Sequence, residues 1–141
     1  MNFNMLLSYF TDFRFILLVL LGSVLGLFIG AIPGLSVTMA TALLVSVTYS
    51  WSASDAMATI MGLYVVGVFS GALSAILINL PGAPSSVVTA FDGYPLSKRG
   101  EANKALKYAT VYSFIGSVFG FGALALLSGP ISSIALKFHP I

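Results

Sequence analysis

The sequence predicts an all-α, polytopic membrane protein whose transmembrane helices are broken by Pro-Gly pairs or folded into re-entrant hairpins. Of its 141 residues, 58% are hydrophobic and only 7% are charged, with a mean hydropathy of +1.04. An average soluble domain has about one-quarter charged residues, and far fewer cannot cover its surface. Residues 15–32, 56–80 and 108–127 form long apolar runs, reaching or approaching the ~20 residues that a helix needs to cross a bilayer. Pro33-Gly34 and Pro81-Gly82 interrupt the first two segments, because proline removes an amide donor and glycine permits a sharp turn.

Residues 1–12 read as a mildly apolar lead-in suited to the membrane interface. Arg14 ahead of an apolar run resembles a signal peptide, but the run is too long and no small-residue cleavage site follows, so an uncleaved first span is expected. That span covers residues 13–47, broken at 33–34. A polar connector over 48–55 places Tyr49 and Trp51 at the headgroup level. The second span, within 56–90, breaks at 81–82, with Pro84 close behind. A charged loop at 92–107, a third span over 108–127, a Gly129-Pro130 break and the start of another helix complete the expectation.

The net charge of +2 comes mostly from the charged loop, where Lys98, Arg99, Lys104 and Lys107 outnumber Asp92 and Glu101. It is a topology signal and not a nucleic-acid footprint, so the expected surrounding is a lipid bilayer, with no nucleic acid. Counting each broken segment as one crossing puts Arg14 and the lysine-rich loop on the same side, which the positive-inside bias makes cytoplasmic.

Glycine recurs every four residues at Gly22, Gly26, Gly30 and Gly34, and again at Gly116 and Gly120. At helical spacing these positions line one face and admit another backbone. A second regularity relates the breaks themselves: at an offset of 48 positions, residues 32–42 align with 80–90, matching Pro, Gly, Thr and Ala. Both halves are therefore expected to be the same device.

In that device each motif ends one helix and opens another within the membrane, where freed backbone groups need protein, water or ligand partners. The restarting helix points unpaired amides and the positive end of its dipole at the break. A carboxylate suits such a place. The candidate substrate-binding residues are Gly34, Ser36, Thr38 and Thr41 on one arm and Asn79, Gly82, Ser85, Ser86 and Thr89 on the other, with Pro33, Pro81 and Pro84 making the breaks. Paired discontinuous helices point to the binding site of a secondary transporter. The competing reading is that the prolines merely kink two helices while the hydroxyls bond back to their own backbone.

Asn79 fits either a ligand contact or a helix cap, and Asp92, Gly93 and Pro95 suit either a gate or a turn. Cysteine is absent, and the single histidine is His139. No catalytic residue, metal site or cofactor is expected, because the spans hold no nucleophile and base pair and no cluster of metal ligands. They also lack the carboxylates or histidines of a proton relay, so of the two coupling ions considered, sodium and the proton, sodium bound by carbonyls and hydroxyls is the better fit.

Gly30-Ala31-Ile32-Pro33-Gly34-Leu35, Asn79-Leu80-Pro81-Gly82 and Thr89-Ala90-Phe91-Asp92-Gly93-Tyr94-Pro95, in that order, resemble the N-terminal part of the large permease subunit of the tripartite tricarboxylate transporter family. The similarity runs from about residue 15 to the end of the chain. It implies a multi-pass secondary transporter of the bacterial inner membrane that takes up citrate or related carboxylates on an ion gradient. The implied partners are a small membrane subunit and a periplasmic solute-binding protein. Residues 1–141 would then be the N-terminal part of a permease domain, since permeases of that family are several times longer. Ser36 stands where the family often has glycine. A membrane scaffold or accessory subunit that does not transport is the alternative.

Overall fold

The structure, a computed structural model, describes residues 12–135. Five helices account for most of them: α1 (Phe13–Ala31), α2 (Val37–Val47), α3 (Ala53–Ile78), α4 (Val87–Lys98) and α5 (Ala102–Ala135), with a 3-10 turn at Pro84–Ser86. The all-α expectation is borne out. α1, α3 and, over Ala102–Gly129, α5 are long and apolar enough to cross a membrane. α2 has 11 residues and rises only ~16 Å, about half of a hydrocarbon core. The lead-in expected before residue 12, and Lys137 and His139, lie outside the described residues.

The chain divides into two units at Leu106 and Lys107. In the first, α1 and α3 are in contact through their backbones. A Cβ on Gly22 would collide with the Thr59 carbonyl, one on Gly26 with that of Leu63, and one on Gly30 with that of Gly67. Residue numbers rise together along both helices, so α1 and α3 run parallel. An Arg14–Asp55 ion pair of 2.8 Å ties their first turns, and the Ser70 hydroxyl donates to the Leu27 carbonyl at 2.7 Å near the other end. Both N-termini are capped: Asp12 accepts from the Arg14 amide at 3.0 Å, and Ser52 Oγ accepts from that of Asp55 at 3.2 Å. Such caps satisfy amides that have no partner within the helix.

Two parallel neighbours in sequence require the chain to return between them. Val37 at the start of α2 packs on Gly67, while Ser50, Trp51 and Ser52 share a cleft with Asp12, Arg14 and Asp55. α2 therefore runs back toward the beginning of α1, and the first break is the tip of a hairpin.

The second break behaves differently, which corrects the expectation of one repeated device. After Ile78 the chain steps back until the Gly82 amide donates to the Gly71 carbonyl at 3.4 Å, and α4 then advances along α3 to bring Gly93 against Ile76. The physical reason is where the left-handed residue falls. Gly34 has φ +91 and turns the chain after its proline, whereas the left-handed residue at the second break is Asn79, φ 58, ahead of Pro81. Gly82 is required for space: a Cβ there would collide with the Gly30 carbonyl.

Three further expectations change. Asp92, Gly93 and Pro95 lie inside α4 and form no turn, because α4 continues to Lys98 and its glycine is needed for contact with Ile76 Cγ1, 2.7 Å from where a Cβ would stand. The expected 92–107 loop thus reduces to residues 99–101, with Gly100 at φ +81. α5 continues through Gly129 to Ala135 without a break, as membrane helices tolerate proline when other groups satisfy the freed carbonyl.

Arg14 and the basic residues also do not share an end. Arg14 pairs with Asp55, whereas α4 has already passed the level of Ile76 before reaching Lys98. That is a separation of ~30 Å along α3 at 1.5 Å per residue.

Gly26→Leu should lower the stability of the chain in detergent by about 1–3 kcal/mol, the range for overpacking, while Gly120→Leu, with nothing within 4 Å of its Cβ position, should not. Chemical unfolding of both variants reads this directly. Because the chain has no cysteine, Ser50→Cys and Asn103→Cys can be labelled separately with an impermeant maleimide, and they should react from opposite sides of the membrane. Labelling of both from one side would refute the advance of α4 along α3 that carries the basic residues away from Arg14.

Candidate functional site

The start of α2 and the second break meet α3 one helical turn apart. Val37, the first residue of α2, packs on Gly67, and Gly82 and Ala83 pack on Gly71. Gly30, in the last turn of α1, touches both Gly67 and Gly82 through its carbonyl and Cα. The contact level lies 12 to 16 residues past Asp55, ~18–24 Å along the helix and well within its length. The end of α1, the start of α2 and the second break therefore converge at one depth.

The predicted residues divide around this junction. Gly82 is half-buried within it, and Ser86 is 2% exposed, standing at the N-cap of α4 without a side-chain cap bond. Thr89, one turn into α4, is half-buried, and Pro81 is half-buried beside Gly82. Ser36 is the N-cap of α2, exposed and also without a side-chain cap bond, and its carbonyl accepts from the Ala40 amide at 3.0 Å. Pro33, Gly34, Thr38, Pro84 and Ser85 are exposed around the breaks. The Thr41 hydroxyl donates to the Val37 carbonyl at 2.7 Å, which is the backbone-bonded arrangement. Asn79 is the C-cap of α3, its backbone N–H donating to the Ala75 carbonyl at 3.2 Å. Asp92, Gly93 and Pro95 stand farther along α4.

Sequence reasoning missed the ridge on which the breaks rest. Gly67, Ser70, Gly71 and Ser74 are all buried along α3. Ser70 bonds to α1, and Ser74 Oγ donates at 3.0 Å to the same Gly71 carbonyl that accepts from Gly82. A small-residue pattern at 67, 70, 71 and 74 was legible in the second span, but it lies ahead of the break and lacks the Pro-Gly signature. Chemically, the junction offers the amides at the start of α2 and hydroxyls around the breaks, with no charged side chain at the contact. Those are groups that can hold an anion or a dehydrated cation. Among the described residues no cluster of metal-ligating side chains occurs.

Two cavities lie elsewhere in the first unit. One of about 500 Å³ at the first turns of α1 and α3 is lined by Asp12, Arg14, Ser50, Trp51 and Asp55 among others. Another, of about 520 Å³, follows the α1–α3 seam past Phe15, Val19, Met57 and Met61.

No solved structure matches the chain. It is 38% identical over 117 residues to an uncharacterised 52.8 kDa protein in the TAR-I ttuC' 3' region of Agrobacterium vitis, a match covering 83% of this chain and 23% of that protein. The chain thus spans about a quarter of that relative's length. Residues 16–141 match the family described as the tripartite tricarboxylate transporter TctA family. The residues that match include most of α1, both breaks and α2 to α5, and the chain belongs to the tripartite tricarboxylate transporter TctA family.

Proposed function

We propose that this chain forms part of a permease for the uptake of a tricarboxylate or related carboxylate across the bacterial inner membrane, with the two Pro-Gly breaks making one side of the substrate site. The observation that supports this reading best is the convergence of the start of α2 and the second break on Gly67 and Gly71 of α3 at nearly one depth within the span. The helix start at Val37 supplies amides, and the starts of α2 and α4 supply positive dipole ends. Ser36, Ser85, Ser86 and Thr89 supply hydroxyls beside them. An anion can be held there by dipoles without burying a countercharge. Carbonyls at the end of α1, with the hydroxyls beside them, suit a sodium ion, which we take as the coupling ion in preference to the proton.

In this reading the end bearing Lys98, Arg99 and Lys104 is cytoplasmic, since positive residues are retained on that side and Arg14 at the other end is paired with Asp55. A small membrane subunit and a periplasmic solute-binding protein complete the system, the latter delivering substrate from the Arg14 end. The second reading, a membrane scaffold that does not transport, draws support from the Thr41 hydroxyl, which is spent on its own helix.

In the complete permease, Ser86→Ala and Thr89→Ala should each raise the half-saturation concentration for carboxylate uptake by about 10–150-fold, the equivalent of one lost hydrogen bond to a charged group. Unchanged kinetics in both would remove the site assignment and favour the scaffold. Uptake should also stop when sodium is replaced by choline, yet survive a protonophore while the sodium gradient is held. The reverse pattern would establish proton coupling.

A further inference from the structure

We propose that the outer face of α4 binds an anionic phospholipid. Val87, Phe91, Tyr94 and Lys98 follow one another at spacings of four, three and four residues, which keeps them within about 60° around a helix axis. The chemistry along this face changes in one direction. Val87 is 42% and Phe91 72% exposed, Tyr94 is half-buried, and the Lys98 ammonium stands 5.0 Å from the centre of the Tyr94 ring. Over ~16 Å of helix the face passes from aliphatic to aromatic to cationic. A phospholipid presents the same order, from acyl chain through the interface to the phosphate.

Arg99 is exposed directly after Lys98, and Lys104 lies just beyond the Gly100 turn. Lys104 pairs with Glu101 at 3.5 Å, both side chains being about half open to solvent. Three cations against one carboxylate leave a surplus of two positive charges at the head of the face. Asp92 follows Phe91 and so sits about 100° around the axis, off the stripe. Lipid fits this surface better than transported carboxylate for two reasons. The charged end lies past Ile76, beyond the breaks at Gly67 and Gly71, and an exposed Val87–Phe91 stripe has nothing to offer a small polyanion. The inference is independent of the transport reading.

The test is native mass spectrometry of the full-length permease in neutral detergent, titrated with phosphatidylglycerol or with phosphatidylcholine of the same acyl chains. Each exposed cation is worth about fivefold in anionic-lipid affinity, so the wild type should prefer phosphatidylglycerol by more than tenfold. Lys98→Gln combined with Arg99→Gln should remove most of that preference, and Arg14→Gln at the far end should not. Phe91→Asn should weaken retention of both lipids while leaving the preference in place. Equal retention of the two lipids by the wild type would overturn the proposal, and this comparison stands even where a variant fails to fold. A preference that survives the double substitution, falls equally with Arg14→Gln, or ignores Phe91→Asn in overall retention would overturn it as well.

Discussion

Gly22, Gly26 and Gly30 let α1 lie directly against the backbone of α3, and most of the first unit follows from that contact. In a bilayer, apolar side chains gain little by leaving lipid, so close backbone approach, dispersion and interhelical hydrogen bonds must hold helices together. The glycines provide the approach. Ser70 donating to the Leu27 carbonyl and Arg14 paired with Asp55 fix the register at the two ends. Since the helices are parallel, the intervening segment has to reverse, and α2 can be short because it starts partway along α3 at Gly67 and not at its end.

The same contact sets the depth of the breaks. Gly30, one turn before the first break, also faces Gly82 of the second, so three backbone segments share a space that admits no Cβ. Two motifs with nearly the same sequence do different mechanical work around it. One glycine supplies a left-handed turn in the open, and the other supplies room for a carbonyl. A proline in each removes an amide that would otherwise need a partner. The result is a polar junction, assembled from backbone and hydroxyl groups, inside a segment whose outer surface is almost wholly apolar.

Charge is distributed unevenly along α3. At its beginning Arg14 is held by Asp55, whose side chain is only 13% exposed, so that end has little free charge to orient the protein. Past its other end Lys98, Arg99 and Lys104 have Glu101 as the single acidic residue of their corner. The direction of α4 produces this asymmetry: because it advances along α3 and does not turn back, the basic residues are moved away from Arg14.

The sequence by itself determined the membrane class, the helical content, the positions of both breaks and the family motifs. These depend on composition, run length and the local chemistry of proline and glycine, all of which act within a few residues. It also marked Gly22, Gly26 and Gly30 as a contact face, since helical periodicity is local too. Which helix would meet that face, and in which direction, was not legible, because spacing on one helix carries no information about its partner's polarity. Only the tertiary structure decided that α1 and α3 are parallel, that residues 13–47 form a hairpin, and that Gly67 and Gly71 receive the start of α2 and the second break. It likewise decided that Asp92-Gly93-Tyr94-Pro95 is helical: an Asp-Gly pair favours a turn when nothing is packed on it, and here Ile76 occupies the space that makes glycine necessary.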